Sequence, residues 1–137
     1  MKQTFLLLLC IATLGLASCK KETIIDSGLP NETIETVIGT NDWVSSEGGT
    51  RLSTRIDMPE INQETFTTDG LMVYIYPDNE INEYRQLPFV FDGQAYSYTA
   101  EPGFINIDIQ TSTANGTPVR PSIPTGLRVV IVTSTLN

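Results

Sequence analysis

Residues 50–58, Thr50-Arg51-Leu52-Ser53-Thr54-Arg55-Ile56-Asp57-Met58, alternate almost without fault. Leu52, Thr54, Ile56 and Met58 fall on one side of an extended chain; Arg51, Ser53, Arg55 and Asp57 fall on the other. Successive side chains of a strand point to opposite faces, so the stretch predicts one buried face and one wet face. That is the pattern of an antiparallel sheet, whose outer side meets water. Arg51 and Arg55 read first as part of this solvated face and only second as an anion site.

The same period of two extends outward in both directions. Upstream, residues 33–38 set Ile34, Thr36 and Ile38 against Glu35 and Val37. Asn41-Asp42 and Glu47-Gly48-Gly49 are turns around Trp43, the only tryptophan, which reads as core or core edge, with a sugar-stacking platform as the alternative. Downstream, Pro59 suits a helix start, and residues 60–66 are expected to make a short helical turn before Asp69-Gly70. Residues 71–76 are apolar on both faces, as in a central strand, and Pro77 ends them. Four more strands are expected over 84–91, 95–99, 104–111 and 127–133. Asp92-Gly93 is a hairpin signal between two of them, Glu101-Pro102-Gly103 joins the next pair, and the proline-bearing stretch 114–125 is the long connection before the last. About seven short strands without long helical periodicity or an internal repeat predict an all-β fold: a single antiparallel β-sandwich of immunoglobulin-like character.

Composition narrows the chemistry. The 137 residues contain no histidine, two cysteines, and 8 basic against 16 acidic residues, a formal charge of −8. Ser-His-Asp and Cys-His catalysis and imidazole metal sites are excluded by counting. The acid excess argues against nucleic acid, which needs clustered positive charge. No cofactor is indicated.

The first segment reads as an address. Lys2 precedes an apolar run over 5–16, the length of a secretory h-region and short of the roughly 20 residues that span a bilayer. The run ends in Leu16-Ala17-Ser18-Cys19, which resembles the bacterial lipobox. The resemblance implies cleavage after Ser18 and acylation of Cys19, so residues 1–18 are a removed signal peptide. The remaining 119 residues would carry 7 basic and 16 acidic groups, a charge of −9. Cys10 is discarded with the signal and Cys19 is consumed by lipid, which leaves neither a free thiol nor a disulfide. Residues 19–32 read as a polar tether, broken by Gly28 and Pro30. The 13 residues after Cys19 reach at most roughly 43–47 Å. The β-sandwich domain then occupies 33–137.

The order of lipobox, tether, Asn41-Asp42-Trp43, Ile56-Asp57-Met58-Pro59-Glu60-Ile61, Asp69-Gly70-Leu71-Met72-Val73-Tyr74, Gln86-Leu87-Pro88-Phe89 and Leu127-Arg128-Val129-Val130-Ile131-Val132 resembles a group of small uncharacterised lipoproteins common in Bacteroidetes. The resemblance implies a lipid-anchored β-sandwich of the cell envelope, held at the outer membrane through Cys19 and facing either the periplasm or the surface. It brings no catalytic residues.

Candidate sites follow from residue types. Tyr74 and Tyr76 share one face of their strand and Tyr96 and Tyr98 share one face of theirs; with Trp43 they form the ligand-binding candidates, since an aromatic body with a polar tip suits a sugar ring. The acidic run Asp78-Asn79-Glu80-Ile81-Asn82-Glu83 is a weak calcium candidate through Asp78, Asn79, Glu80 and Glu83, without the spaced pattern of a calcium loop. Asp57, Asp92 and Asp108 are the carboxylates a glycosidase would have to pair, and nothing in the sequence pairs them. The leading expectation is therefore a non-catalytic envelope protein that binds a glycan or an envelope protein, or has a structural role. The alternatives are a carbohydrate-binding accessory of a glycan-uptake system and a fimbrial or adhesin-like subunit.

Overall fold

A computed structural model describes residues 30–76, 83–114 and 116–134. In chain order its strands are β1 (Glu32–Ile38), β2 (Val44–Ser46), β3 (Arg51–Asp57), β4 (Gly70–Tyr76), β5 (Arg85–Gln86), β6 (Phe89–Phe91), β7 (Gln94–Glu101), β8 (Phe104–Thr111) and β9 (Thr125–Val132). Among the described residues a single α-helix, α1 (Gln63–Thr68), lies between β3 and β4, and a 3-10 turn over Glu47–Gly49 joins β2 to β3. The strands form two antiparallel sheets, ordered β1-β9-β4-β5 and β2-β3-β8-β7-β6, which pack together as a β-sandwich.

Alternation decides which side chains meet between the sheets. Val73, Ile75, Leu127, Val129 and Ile131 of the four-stranded sheet are at most 4% exposed, and they face Leu52, Ile105, Ile107 and Ile109 of the other sheet. Each fully buried aliphatic side chain contributes about 1.5–3 kcal/mol relative to exposure. The opposite face of the five-stranded sheet is polar, with Ser53 paired to Asp108 and Asp108 to Ser97 across three strands. The period-two pattern of 50–58 is realised here: Leu52, Thr54 and Met58 are buried, while Arg55 and Asp57 are exposed.

Three local expectations are corrected. The helix spans Gln63–Thr68 rather than 60–66, because Asn62 is the residue that can cap it: its Oδ1 accepts from the amides of Glu64 at 2.9 Å and Thr65 at 3.0 Å. Residues 58–61 instead form a turn clipped to the β7–β8 hairpin, where Gly103 accepts from the Met58 amide at 2.8 Å and donates to the Ile61 carbonyl at 2.7 Å. The single strand expected over 84–91 is two. Pro88 has no amide to give a ladder, which interrupts the strand: β5 pairs with β4 in one sheet and β6 with β7 in the other. The short strand β2, whose Val44 is 65% exposed, lacked the buried alternation by which the others were read. Among the described residues these two differences raise the count from about seven to nine.

Candidate functional site

The first strand pairs with the last, and that pairing builds the most distinctive surface of the molecule. On the outer face of the four-stranded sheet, Glu35 of β1 pairs with Arg128 of β9, Arg128 with Tyr74 of β4, and Tyr74 with Gln86 of β5. The next row along is Val37, Gly126 and Tyr76. Strand alternation therefore brings two tyrosines, one arginine and one glutamate onto a single face.

Tyr84, immediately before β5, completes the cluster. Its ring meets Tyr76 at 4.2 Å between centroids with a 60° tilt, and Tyr74 edge-on at 6.3 Å and 88°. The Arg128 guanidinium lies 3.8 Å above the centre of the Tyr84 ring and 6.0 Å from that of Tyr76. Its Nε donates to Oε1 of Glu35 at 2.6 Å, and its Nη2 contacts the same oxygen. The cation is thus held between a carboxylate and an aromatic face, which fixes its orientation. Glu35, Val37, Tyr76, Tyr84, Gly126 and Arg128 enclose a hollow of about 330 Å³. Gly126, carrying no side chain, lets the Tyr76 ring lie against β9 at the edge of this hollow.

Such a site suits a polyhydroxylated ring. Aromatic surface takes the apolar C–H face of a sugar, while the ionic groups at the rim exchange hydrogen bonds with its hydroxyls.

The five aromatic candidates do not share this face. Tyr74 and Tyr76 are on it. Tyr96 is only 7% exposed and stacks on Phe89 inside the sandwich, with ring centroids 4.9 Å apart and 6° between planes. Tyr98 also points inward, and its hydroxyl donates to the Leu71 carbonyl of the opposite sheet at 3.3 Å. Trp43 is 2% exposed and presents no ring face to a ligand. Trp43 therefore takes its first reading, core, and not the sugar-stacking alternative, while Tyr96 and Tyr98 are corrected from ligand-binding candidates to inward-facing residues, because the register of β7 turns them toward the facing sheet. Tyr84, Arg128 and Glu35 were missed. The available signal was Arg128 itself, one charge within the otherwise apolar run 127–132.

The carboxylates considered for hydrolysis are not brought together. Asp57 is ion-paired with Arg55 at 3.6 Å, and Asp108 accepts from the Ser53 hydroxyl. Because Asp108 pairs with Ser53, four residues along β3 from Asp57, the two stand about 13 Å apart along the strand. That is wider than the roughly 5–9.5 Å between glycosidase carboxyls. Asp92 occupies the β6–β7 turn. Of the calcium candidates, Asp78, Asn79 and Glu80 lie outside the described residues, and Glu83 bonds Arg85 at 2.5 Å. No group of three or more metal-ligating side chains occurs among the described residues.

Comparison with known proteins finds no matching family model, curated protein or solved structure. The site therefore stands on its geometry. Residues 1–29, which include the expected signal peptide, Ser18, Cys19 and most of the expected tether, lie outside the described residues. Among those residues no helix is long and apolar enough to cross a membrane.

Proposed function

We propose that the chain is a lipid-anchored, non-catalytic binding module of the cell envelope that holds a glycan on the outer face of its four-stranded sheet. The observation that carries this is the assembly of Tyr74, Tyr76 and Tyr84 with the Arg128–Glu35 pair around the Gly126 hollow. The anchor is inferred from Leu16-Ala17-Ser18-Cys19, with diacylglyceryl transfer to the Cys19 thiol before cleavage and the finished lipoprotein held at the outer membrane. The tether would enter the domain at β1, an edge of the same sheet, so lipid and binding face belong to one layer. A role as accessory to a glycan-uptake system is the setting that fits a short, exposed, single-ring site.

Retention on immobilised polysaccharides tests the binding claim. Tyr84→Ala is expected to abolish retention at unchanged Tm, since Tyr84 is 38% exposed; equal retention by the variant would reject the site. Incorporation of an alkyne-tagged palmitate into the wild type, and its loss in Cys19→Ser, tests the anchor separately.

A second reading, a subunit of a fimbrial or adhesin-like assembly, draws on β1. It is the only edge strand among the described residues longer than three residues, and an open edge of that length is a template for another strand. Filaments on the cell surface, lost when a proline replaces Thr36, would favour it; a strict monomer would exclude it.

A further inference from the structure

A second hollow, of about 260 Å³, opens under the connection that precedes β9, on the other side of that strand from the tyrosine cluster. Phe91, Tyr96 and Val119 wall it, and Asp92, Arg120 and Thr125 supply polar groups. Thr125 and Gly126 are neighbours in β9, so alternation puts them on opposite faces, one on each hollow. The connection itself is held in place: the Val119 amide donates to Oε1 of Gln94 at 2.6 Å, and Nη1 of Arg120 donates to the carbonyls of Trp43 at 2.5 Å and Thr40 at 3.2 Å.

Two features of this hollow lack an account in the fold. Thr125 is 2% exposed, yet its Oγ1 has no hydrogen-bond partner. A buried hydroxyl without a partner opposes folding, and a ligand hydroxyl in the hollow would supply the partner that the protein does not. Arg120 is the other. Among the described residues, Arg51, Arg55, Arg85 and Arg128 each pair with a carboxylate, and Arg120 does not. In a chain with twice as many acidic as basic residues this is conspicuous, and only its Nη1 is spent, on two backbone oxygens.

We infer that this hollow is a second binding site, for a single sugar acid. The carboxylate of a uronic acid would take the free side of the Arg120 guanidinium, in the planar geometry that arginine offers to carboxylates. One ring hydroxyl would meet Thr125 Oγ1, another would donate to Asp92 at the rim, and the ring would lie against Phe91. The volume falls just below the roughly 300–1,000 Å³ of sites for larger ligands, which limits the occupant to one ring. The site shares no residue with the tyrosine cluster and does not depend on the reading given to that cluster.

The test uses the full domain with free galacturonate, galactose and benzoate, followed by calorimetry and by the fluorescence of Trp43. That residue is the only tryptophan, and its carbonyl is held by Arg120, so it reports on the site. Galacturonate is expected to bind at millimolar concentration or tighter, galactose not at all, and benzoate more weakly than galacturonate. Arg120→Gln should weaken galacturonate by roughly tenfold or more, the weight of one charge-assisted hydrogen bond. Thr125→Val should weaken it as well while leaving the Tm of the free protein equal or higher, and Tyr84→Ala should leave it unchanged. Benzoate binding as tightly as galacturonate would overturn the assignment to a sugar acid. So would galactose binding as tightly, no binding of galacturonate, an unchanged affinity in both site variants, or a lower Tm in Thr125→Val.

Discussion

Tyr76 and Gly126 face each other across β4 and β9, and the tyrosine ring occupies the space that a side chain at 126 would need. A Cβ built on Gly126 would collide with Cδ2 of the ring and come within 3.2 Å of Cε2. A glycine inside a strand ordinarily weakens it, and often marks the close approach of another group. Here the ring supplies the apolar cover that the glycine lacks. Gly126→Ala is expected to cost about 1–3 kcal/mol through overpacking and to dislodge the tyrosine cluster. Urea denaturation reads the first effect and polysaccharide retention the second.

The Glu35–Arg128 pair joins the first strand to the last. Its glutamate side chain is 58% exposed and its arginine 30%, so solvent screens the interaction. A double-mutant cycle with Glu35→Gln and Arg128→Gln should give a coupling of about 0.2–1 kcal/mol. The coupling should shrink in 1 M salt, where the Debye length is about 3 Å. A coupling that persists at high salt would mean that the Nε–Oε1 hydrogen bond, rather than screened charge, joins the pair, and a coupling near zero would mean that the tyrosines hold the arginine.

Ile107 is fully buried at the centre of β8, on the strand pair that closes the five-stranded side of the core. Ile107→Ala is expected to destabilise by about 2–5 kcal/mol, transfer and cavity terms together. For a domain near 100 residues this lowers Tm by about 4–8 °C per kcal/mol. Calorimetry measures it directly, and a loss under 1 kcal/mol would show that the two sheets collapse into the space.

Asn62 caps α1 through two backbone amides. Asn62→Ala should cost about 0.5–2 kcal/mol. Hydrogen exchange would place the loss at the amides of Glu64 and Thr65, with the β3 and β8 amides still protected. Asn62→Asp should restore most of the protection, since it keeps the accepting oxygen.

Much of the strand framework was legible because half-buried strands leave a period of two. Residues 50–58, 104–111 and 33–38 carry that period, and their inward residues are the ones the structure buries or half-buries. Where burial did not alternate, the pattern was silent. The strand β2 is three residues of mostly exposed chain, and the apparent strand over 84–91 hid a change of sheet at Pro88. The site was half legible for the same reason. Spacing by two correctly put Tyr74 with Tyr76 and Tyr96 with Tyr98, but spacing does not say which face of a strand meets the core. Hence one pair is on the surface and the other lies inside.

What the sequence determined by itself is the class of structure and the excluded chemistry. Alternation and turn residues are local properties, so they specify strands and hairpins, and the absence of histidine removes imidazole-dependent catalysis. The same local pattern placed a lipobox-like cysteine after an apolar run. What only the tertiary structure decided is the company each residue keeps. Glu35 and Arg128 are 93 positions apart, and nothing near either one encodes the other. They meet because β9, apolar on both faces, is buried as an interior strand between β1 and β4. That non-local pairing lines up Glu35, Arg128, Tyr74 and Tyr76 on one surface, and so turns scattered side chains into a candidate site.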